Sequence, residues 1–221
     1  MAIRDQPPSQ SGEFRLSRRA LVGVGLGASP LGRLGASAAP SATSASASTP
    51  PGSWKTWLLD SGDELRPSPP PNPTAAEIAE LLTRQSQRTA QDLQTVEAWE
   101  TGPAVLPWTN LTLDLIQSHP RSPVRVGRAL ALLHTALADV AIAVADAQAA
   151  IARPTPAATI PELAPLTATT VSGSSFPSEH AAVAAAASAV LTYLFPDEPS
   201  AGLAKLATDA AESRLTAGAN F

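Results

Sequence analysis

Apolar residues along this chain recur at three- and four-residue spacing in five stretches, the periodicity of buried helix faces, and no alternating strand pattern of comparable length occurs. Thr74 can cap the first helix, which runs towards Trp99 with Ile78, Leu81, Leu82, Leu93 and Val96 on one face. Its middle, from Arg84 to Arg88, is polar and marks a place where the helix can break. A shorter helix spans Trp108 to Gln117 and ends near Pro120. The third, from about Pro123 to Ala152, is the core element: a proline suits its first turn, and Arg153-Pro154-Thr155-Pro156 forces its end. A Thr/Ser/Pro-rich loop covers 157–177. Ser178 then caps a helix reaching Phe195, with Val183, Ala187, Val190, Leu191 and Leu194 facing the core. Pro196-Asp197-Glu198-Pro199 turns the chain into a last helix over about Ser200 to Thr216. The pattern predicts an all-α helical bundle.

Leu130 to Ala145 is apolar enough to raise a membrane span as the alternative to a bundle helix. Arg128, Thr135, Asp139 and Asp146 recur on one face, however, and burying those in lipid costs several kcal/mol. A buried bundle helix is the expectation, with no stable membrane span in the mature chain.

The helical pattern leaves the N-terminal third unexplained, and composition accounts for it. Arg18-Arg19 precedes a short, Gly-rich apolar run from Leu21 to Leu31 and then Ala36-Ser37-Ala38. A paired arginine, a short apolar core and an A-x-A site predict a twin-arginine export signal over 1–38 and a periplasmic or extracellular protein. Residues 39–53, almost all Ala, Ser, Thr and Pro, predict a flexible linker. The helical domain is expected over 54–221, beginning at Trp54-Lys55-Thr56-Trp57. Five prolines between Pro67 and Pro73 predict a stiff, extended arm over its surface. The chain has no cysteine, which excludes a disulfide framework, a thiolate metal site and a lipoprotein anchor. Its net charge of −4 argues against a nucleic-acid partner.

Candidate chemistry concentrates near the C-terminus. Ser174-Ser175-Phe176-Pro177-Ser178-Glu179-His180 places a hydroxyl and an imidazole at a helix start, and Ser213-Arg214-Leu215-Thr216-Ala217-Gly218-Ala219-Asn220-Phe221 brings back a guanidinium and a glycine turn. Backbone N–H groups, a hydroxyl, an imidazole and a guanidinium meeting at a helix N-terminus suit a tetrahedral oxyanion. Each residue also has a plain structural reading. Ser178 can be an N-cap and no more. Arg214 near a helix C-terminus is favourable for its charge alone, and Arg153 can be a surface or capping residue. His180 is harder to explain structurally, because an imidazolium in a first helical turn opposes the dipole. His134 reads as a satisfied core histidine, His119 as a loop residue, and the four tryptophans as packing between the N-terminal arm and the bundle.

Phe176-Pro177-Ser178-Glu179-His180-Ala181 and Ser213-Arg214-Leu215-Thr216-Ala217-Gly218, with a Leu-Phe-Pro-Asp turn between them, resemble the type 2 phosphatidic acid phosphatase and vanadium-dependent haloperoxidase superfamily. Arg128 to His134, leading into Asp146-Ala147-Gln148 and Arg153-Pro154-Thr155-Pro156, is similar to that family's first motif region, so the likeness covers about 54–221. It implies the helical fold of acid phosphatases and haloperoxidases, and phosphate, vanadate or a small phosphorylated molecule as ligand, with vanadate the one cofactor to consider. By position it implies that Ser178 is a hydroxyl donor, His180 the acid that protonates a leaving group, and Arg214 the third-motif arginine.

The remaining family positions depart. The lysine falls on Gln148, the first arginine on Thr155, the glycine on Glu179 and the attacking histidine on Asn220, and the aspartate that steadies that histidine falls beyond Phe221, so the resemblance implies a C-terminally incomplete domain. Gln and Thr donate hydrogen bonds without charge, and losing charge assistance at two contacts costs roughly 3–6 kcal/mol. Arg153, two residues from Thr155, can recover part of it. Asn220 has no lone pair basic enough to form a phosphoenzyme and is a poor metal ligand. Three functions stay open on these residues. One is an exported phosphatase-like or haloperoxidase-like enzyme of weak activity. The second is a non-catalytic oxyanion binder, and the third a purely structural helical protein.

Overall fold

The computed structural model describes residues 49–166 and 173–221; the export signal expected over 1–38 and most of the linker lie outside them. Among the described residues there is no strand, and the architecture is all-α. The first predicted helix is two. α1 (Ala75–Ser86) and α2 (Ala90–Glu100) each start with a capping box, Thr74 with Glu77 and Thr89 with Asp92, so each has its own N-terminal signal. The polar joint between them is held from outside: the Arg88 guanidinium donates to the carbonyls of Thr216 and Ala164, both at 2.8 Å. α3 (Leu106–Ser118) and α4 (Pro123–Ile151) follow, both with proline in the first turn.

α4 ends at Ala152, which takes the left-handed conformation (φ 49°), just before the Arg153-Pro154 step. The expected loop from 157 to 177 begins instead inside a one-turn helix, α5 (Pro156–Thr159), because Pro156 at its first position is already set for helical φ. α6 (Glu179–Leu194) and α7 (Ser200–Ala217) complete the bundle.

α6 is the central helix, packed on both α4 and α7. Its alanines allow the neighbouring helices close, and Val183, Ala184, Ala187 and Leu191 are fully buried. They meet Leu133 and Leu137 of α4, Trp108 and Leu115 of α3, Phe195, and Leu203 and Ala210 of α7. Trp99 joins this core with its ring centroid 5.7 Å from that of Trp108. Fully burying one such large side chain contributes about 1.5–3 kcal/mol.

Not every expected core position is inside. Leu93, at 46% exposure, faces solvent although Val96 is buried, because α2 presents only a narrow stripe to α7. Trp54 and Trp57 are also exposed, so two of the four tryptophans are not packing residues. His134 is exposed on α4 rather than a core histidine, since α4 turns Leu133 and Leu137 inward and its neighbour outward.

The segment Pro123–Thr159 is long and apolar enough to cross a membrane by length and composition. Its polar face has partners within the chain. Asp139 is buried and accepts backbone N–H bonds from Trp57 (2.7 Å), Leu58 (2.6 Å) and Leu59 (3.1 Å). Burial alone would raise its pKa; the three donors together outweigh that and hold it below the ordinary carboxylate value. Asp146 receives Arg66 Nε and Nη2 at 2.8 and 2.9 Å. The segment 49–66 is thus strapped along α4. Gly52 is where it comes closest: a Cβ there would stand 2.6 Å from the Asp146 backbone, so only glycine fits.

Candidate functional site

The turn before α6 builds one wall of the site. Ser178 is the N-cap in extended conformation, and its Oγ accepts the Ala181 N–H at 3.4 Å. The turn is tied to the end of α4 by three bonds. Ser174 Oγ accepts the Arg153 N–H (3.0 Å), the Ser175 N–H donates to the Arg153 carbonyl (2.9 Å), and Gln148 Nε2 donates to the Pro177 carbonyl (2.8 Å). The first and second motif regions are therefore adjacent, with Gln148 of α4 beside the N-terminus of α6.

The third motif closes the opposite wall. α7 stops at Gly218, whose left-handed φ of 73° reverses the chain, and the Ala219 N–H bonds the Arg214 carbonyl at 2.9 Å. This reversal carries Asn220 back over the helix end. Its Oδ1 accepts from Arg214 Nε at 3.4 Å, and its Nδ2 donates to the Ser175 carbonyl at 2.7 Å.

Between the walls lies a cavity of about 410 Å³. Gln148, Thr155, Glu179, His180, Arg214 and Asn220 all line it, from four different parts of the chain. Ser178 and Arg153 are not among the lining residues. Ser178 Oγ serves the helix cap, and Arg153 points at α1, where its Nη2 meets Glu77 Oε1 at 2.8 Å and its guanidinium lies 5.0 Å from the Phe221 ring centroid. That hydrogen bond is the main reason the Glu77 carboxyl stays below its ordinary pKa.

Two groups that contact the cavity's side chains were not legible in the motifs. Both come from the end of α2. Glu100, its last residue, forms an ion pair with Arg214 Nη1, the two side chains 14% and 10% exposed. The carbonyl of Trp99 lies 3.2 Å from His180 Nε2. A carbonyl can only accept, so Nε2 carries the proton and Nδ1 is the free lone pair of the neutral ring. Burial pushes the His180 pKa below the ordinary imidazole value, outweighing the Trp99 bond and the Glu179 charge, which act the other way; the ring is neutral at pH 7. Burial likewise lowers the Arg214 pKa to about 10, which leaves it protonated at pH 7.

Among the described residues lining the cavity, Arg214 is the one guanidinium or ammonium, and Glu100 and Glu179 are its carboxylates. No group of three or more His, Cys, Asp or Glu residues able to hold a metal ion occurs among the described residues. His119, expected in a loop, is the C-cap of α3, with Nε2 3.4 Å from Glu198 Oε1 and its ring edge-on to Phe195, away from this cavity.

The helix arrangement is similar to that in the crystal structure of a bacterial vanadium-dependent iodoperoxidase, with a TM-score of 0.68 over 75% of this chain and 50% of that one, at 20% identity. The chain spans about half the length of that structure. No protein-family model and no curated protein matches the sequence. At this identity the likeness defines the fold: an all-α, vanadium-haloperoxidase-like bundle.

Proposed function

We propose that the cavity binds a tetrahedral oxyanion, either free phosphate or vanadate or the phosphoryl group of a small molecule, and that its own chemistry is weak. The observation that carries this reading is the meeting of His180, Arg214, Asn220, Gln148 and Thr155 around one cavity at the N-terminus of α6, where amides and the helix dipole favour an anion.

The donor set fits an oxyanion held by hydrogen bonds and one positive charge. It does not fit vanadium ligated by the protein at position 220, since the Asn220 amide offers no basic nitrogen and its Nδ2 is bound to the Ser175 carbonyl. The same amide is no nucleophile towards phosphorus. Gln148 adds no charge, and its Nε2 is already bound to Pro177, so charge developing in a transition state is under-compensated. His180 can protonate a leaving group only after its Nε2–H leaves the Trp99 carbonyl or its Nδ1 gains a proton.

Phosphate and vanadate are expected to raise the melting temperature, because a ligand that binds only the folded state stabilises it by mass action. Arg214→Ala abolishes that shift. No shift with either anion overturns the oxyanion reading in favour of a structural protein. Phosphomonoester hydrolysis is slight in the wild type, and Asn220→His raises it roughly tenfold or less, given the missing charge at Gln148 and Thr155. An ordinary enzymatic rate in the wild type overturns the weak-catalysis reading. We further propose export through the arginine pair: Arg18→Lys with Arg19→Lys traps the full-length precursor inside the cell, and unchanged export overturns that assignment.

A further inference from the structure

We infer that the C-terminal end of α2 is a built-in plug, which holds Arg214 through the Glu100 carboxylate and His180 through the Trp99 carbonyl, and that an oxyanion enters the site by displacing it. This rests on the oxyanion reading above and says what that reading requires of the rest of the molecule.

Two helices meet the site with opposed polarity. α6 turns its N-terminus to the cavity and invites negative charge. α2 turns its C-terminus to the same site and meets it with the partial negative charge of the Trp99 carbonyl and the full charge of the Glu100 carboxylate. A carboxylate at the last position of a helix is itself in an unfavourable place, because the dipole there is negative. The contact with Arg214 offsets that, so Glu100 occupies the position a negative ligand would take.

Its competitor must use the same guanidinium. Arg214 is the one strong cation among the described residues lining the cavity, its Nε is bound to Asn220, and its Nη1 to Glu100. A bound oxyanion and Glu100 cannot both have full use of it. A singly charged oxyanion replacing one carboxylate leaves the charge around Arg214 unchanged, whereas adding the anion beside Glu100 and Glu179 would crowd three negative charges about one positive charge.

The Trp99 ring stays packed on Trp108 in the core, so what moves is the Glu100 side chain and the main chain that follows it. Glu100 is followed by Thr101, Gly102 with a left-handed φ of 83°, and Pro103, a connection in no regular structure, and Gly102 to Ala104 line the cavity beside it. Rotation of the Glu100 side chain frees Arg214, and unwinding of the last turn of α2 at this joint, with the Trp99 ring kept in the core, turns the Trp99 carbonyl away from the His180 Nε2–H.

The test is the affinity of orthovanadate and of inorganic phosphate for wild type and Glu100→Gln, by calorimetry at neutral pH. Glutamine keeps an oxygen acceptor for Arg214, so the guanidinium is not left bare, and it removes the competing charge. Affinity for both anions is expected to rise tenfold or more. Wild-type binding with equal or weaker binding by Glu100→Gln overturns the plug and leaves the oxyanion reading standing. Absence of binding by both proteins overturns the two together. If the variant does not fold, amide hydrogen exchange of the wild type decides: saturating vanadate speeds exchange at residues 100–105 if the plug is displaced, and slowed or unchanged exchange there with the anion bound overturns it.

Discussion

Asp139 and Arg214 are both charged side chains on bundle helices, 3% and 8% exposed, and their charges are compensated in different ways. Asp139 is held by three backbone N–H groups of one short segment, which cannot rotate away one at a time. Arg214 is held by the side chains of Glu100 and Asn220 at the wall of a cavity, and each can change rotamer while the bundle stays folded. A charge answered by main chain is part of the fold. One answered by side chains beside open space is available for exchange.

The largest effect expected from this contrast is on the strap. Asp139→Ala removes the acceptor for Trp57, Leu58 and Leu59, and stability should fall by about 2–3 kcal/mol in urea unfolding, less than three full bonds because the strap can rehydrate. A loss below about 1 kcal/mol would show that the strap contributes little. The same carboxylate gives a pH signature. Its folded pKa lies below the unfolded value of 3.8, so the stabilisation is complete above that value and is lost as pH falls towards the folded pKa. Wild type should therefore weaken more steeply below about pH 4 than Asp139→Asn, measured by urea midpoint against pH.

Next comes the cavity pair. Arg214→Met alone leaves the Glu100 carboxylate partly buried without its cation and should cost about 2 kcal/mol; Arg214→Met with Glu100→Leu should recover most of that, to within about 1 kcal/mol of wild type. A double variant as unstable as the single one would make the pair as structural as Asp139 and erase the contrast.

The smallest effect is the titration of His180. Its folded pKa is depressed below the unfolded 6.5 by burial, so it favours the folded state above pH 6.5 and this is lost as pH falls through that value. His180→Gln should flatten stability against pH just below 6.5, and an unchanged slope would mean that the ring already meets water.

The sequence carried the helices well because their signals are local. Thr74, Pro123, Ser178 and Gly218 stand at the element ends, and the polar run Arg84 to Arg88 marks a real joint. The cavity-lining positions at 148, 155, 179, 180, 214 and 220 were all named by the family resemblance, which carries positions over from its motifs. The strap was not, because Asp139 reads only as a charge that must find something, and its partners lie some eighty residues earlier. Glu100 was invisible for the same reason, being an ordinary acidic residue before a Gly-Pro turn until the fold sets it against Arg214. The only local hint is its unfavourable place at a helix C-terminus. Ser178 stands at a motif position, and its Oγ accepts the Ala181 N–H of the cap; Arg153, offered as a substitute for the charge missing at Thr155, is bound to Glu77.

The reversal at Gly218 has a consequence on another timescale. Asn220 reaches the cavity because of where the backbone turns, and a side chain of similar size at that position inherits the same placement. Asparagine and histidine codons differ by a single base at their first position. A lineage carrying this bundle therefore stands one mutational step from an imidazole in the wall of the cavity, on the same set of helices. Presence or absence of that ring is a trait that selection can switch on a fixed scaffold.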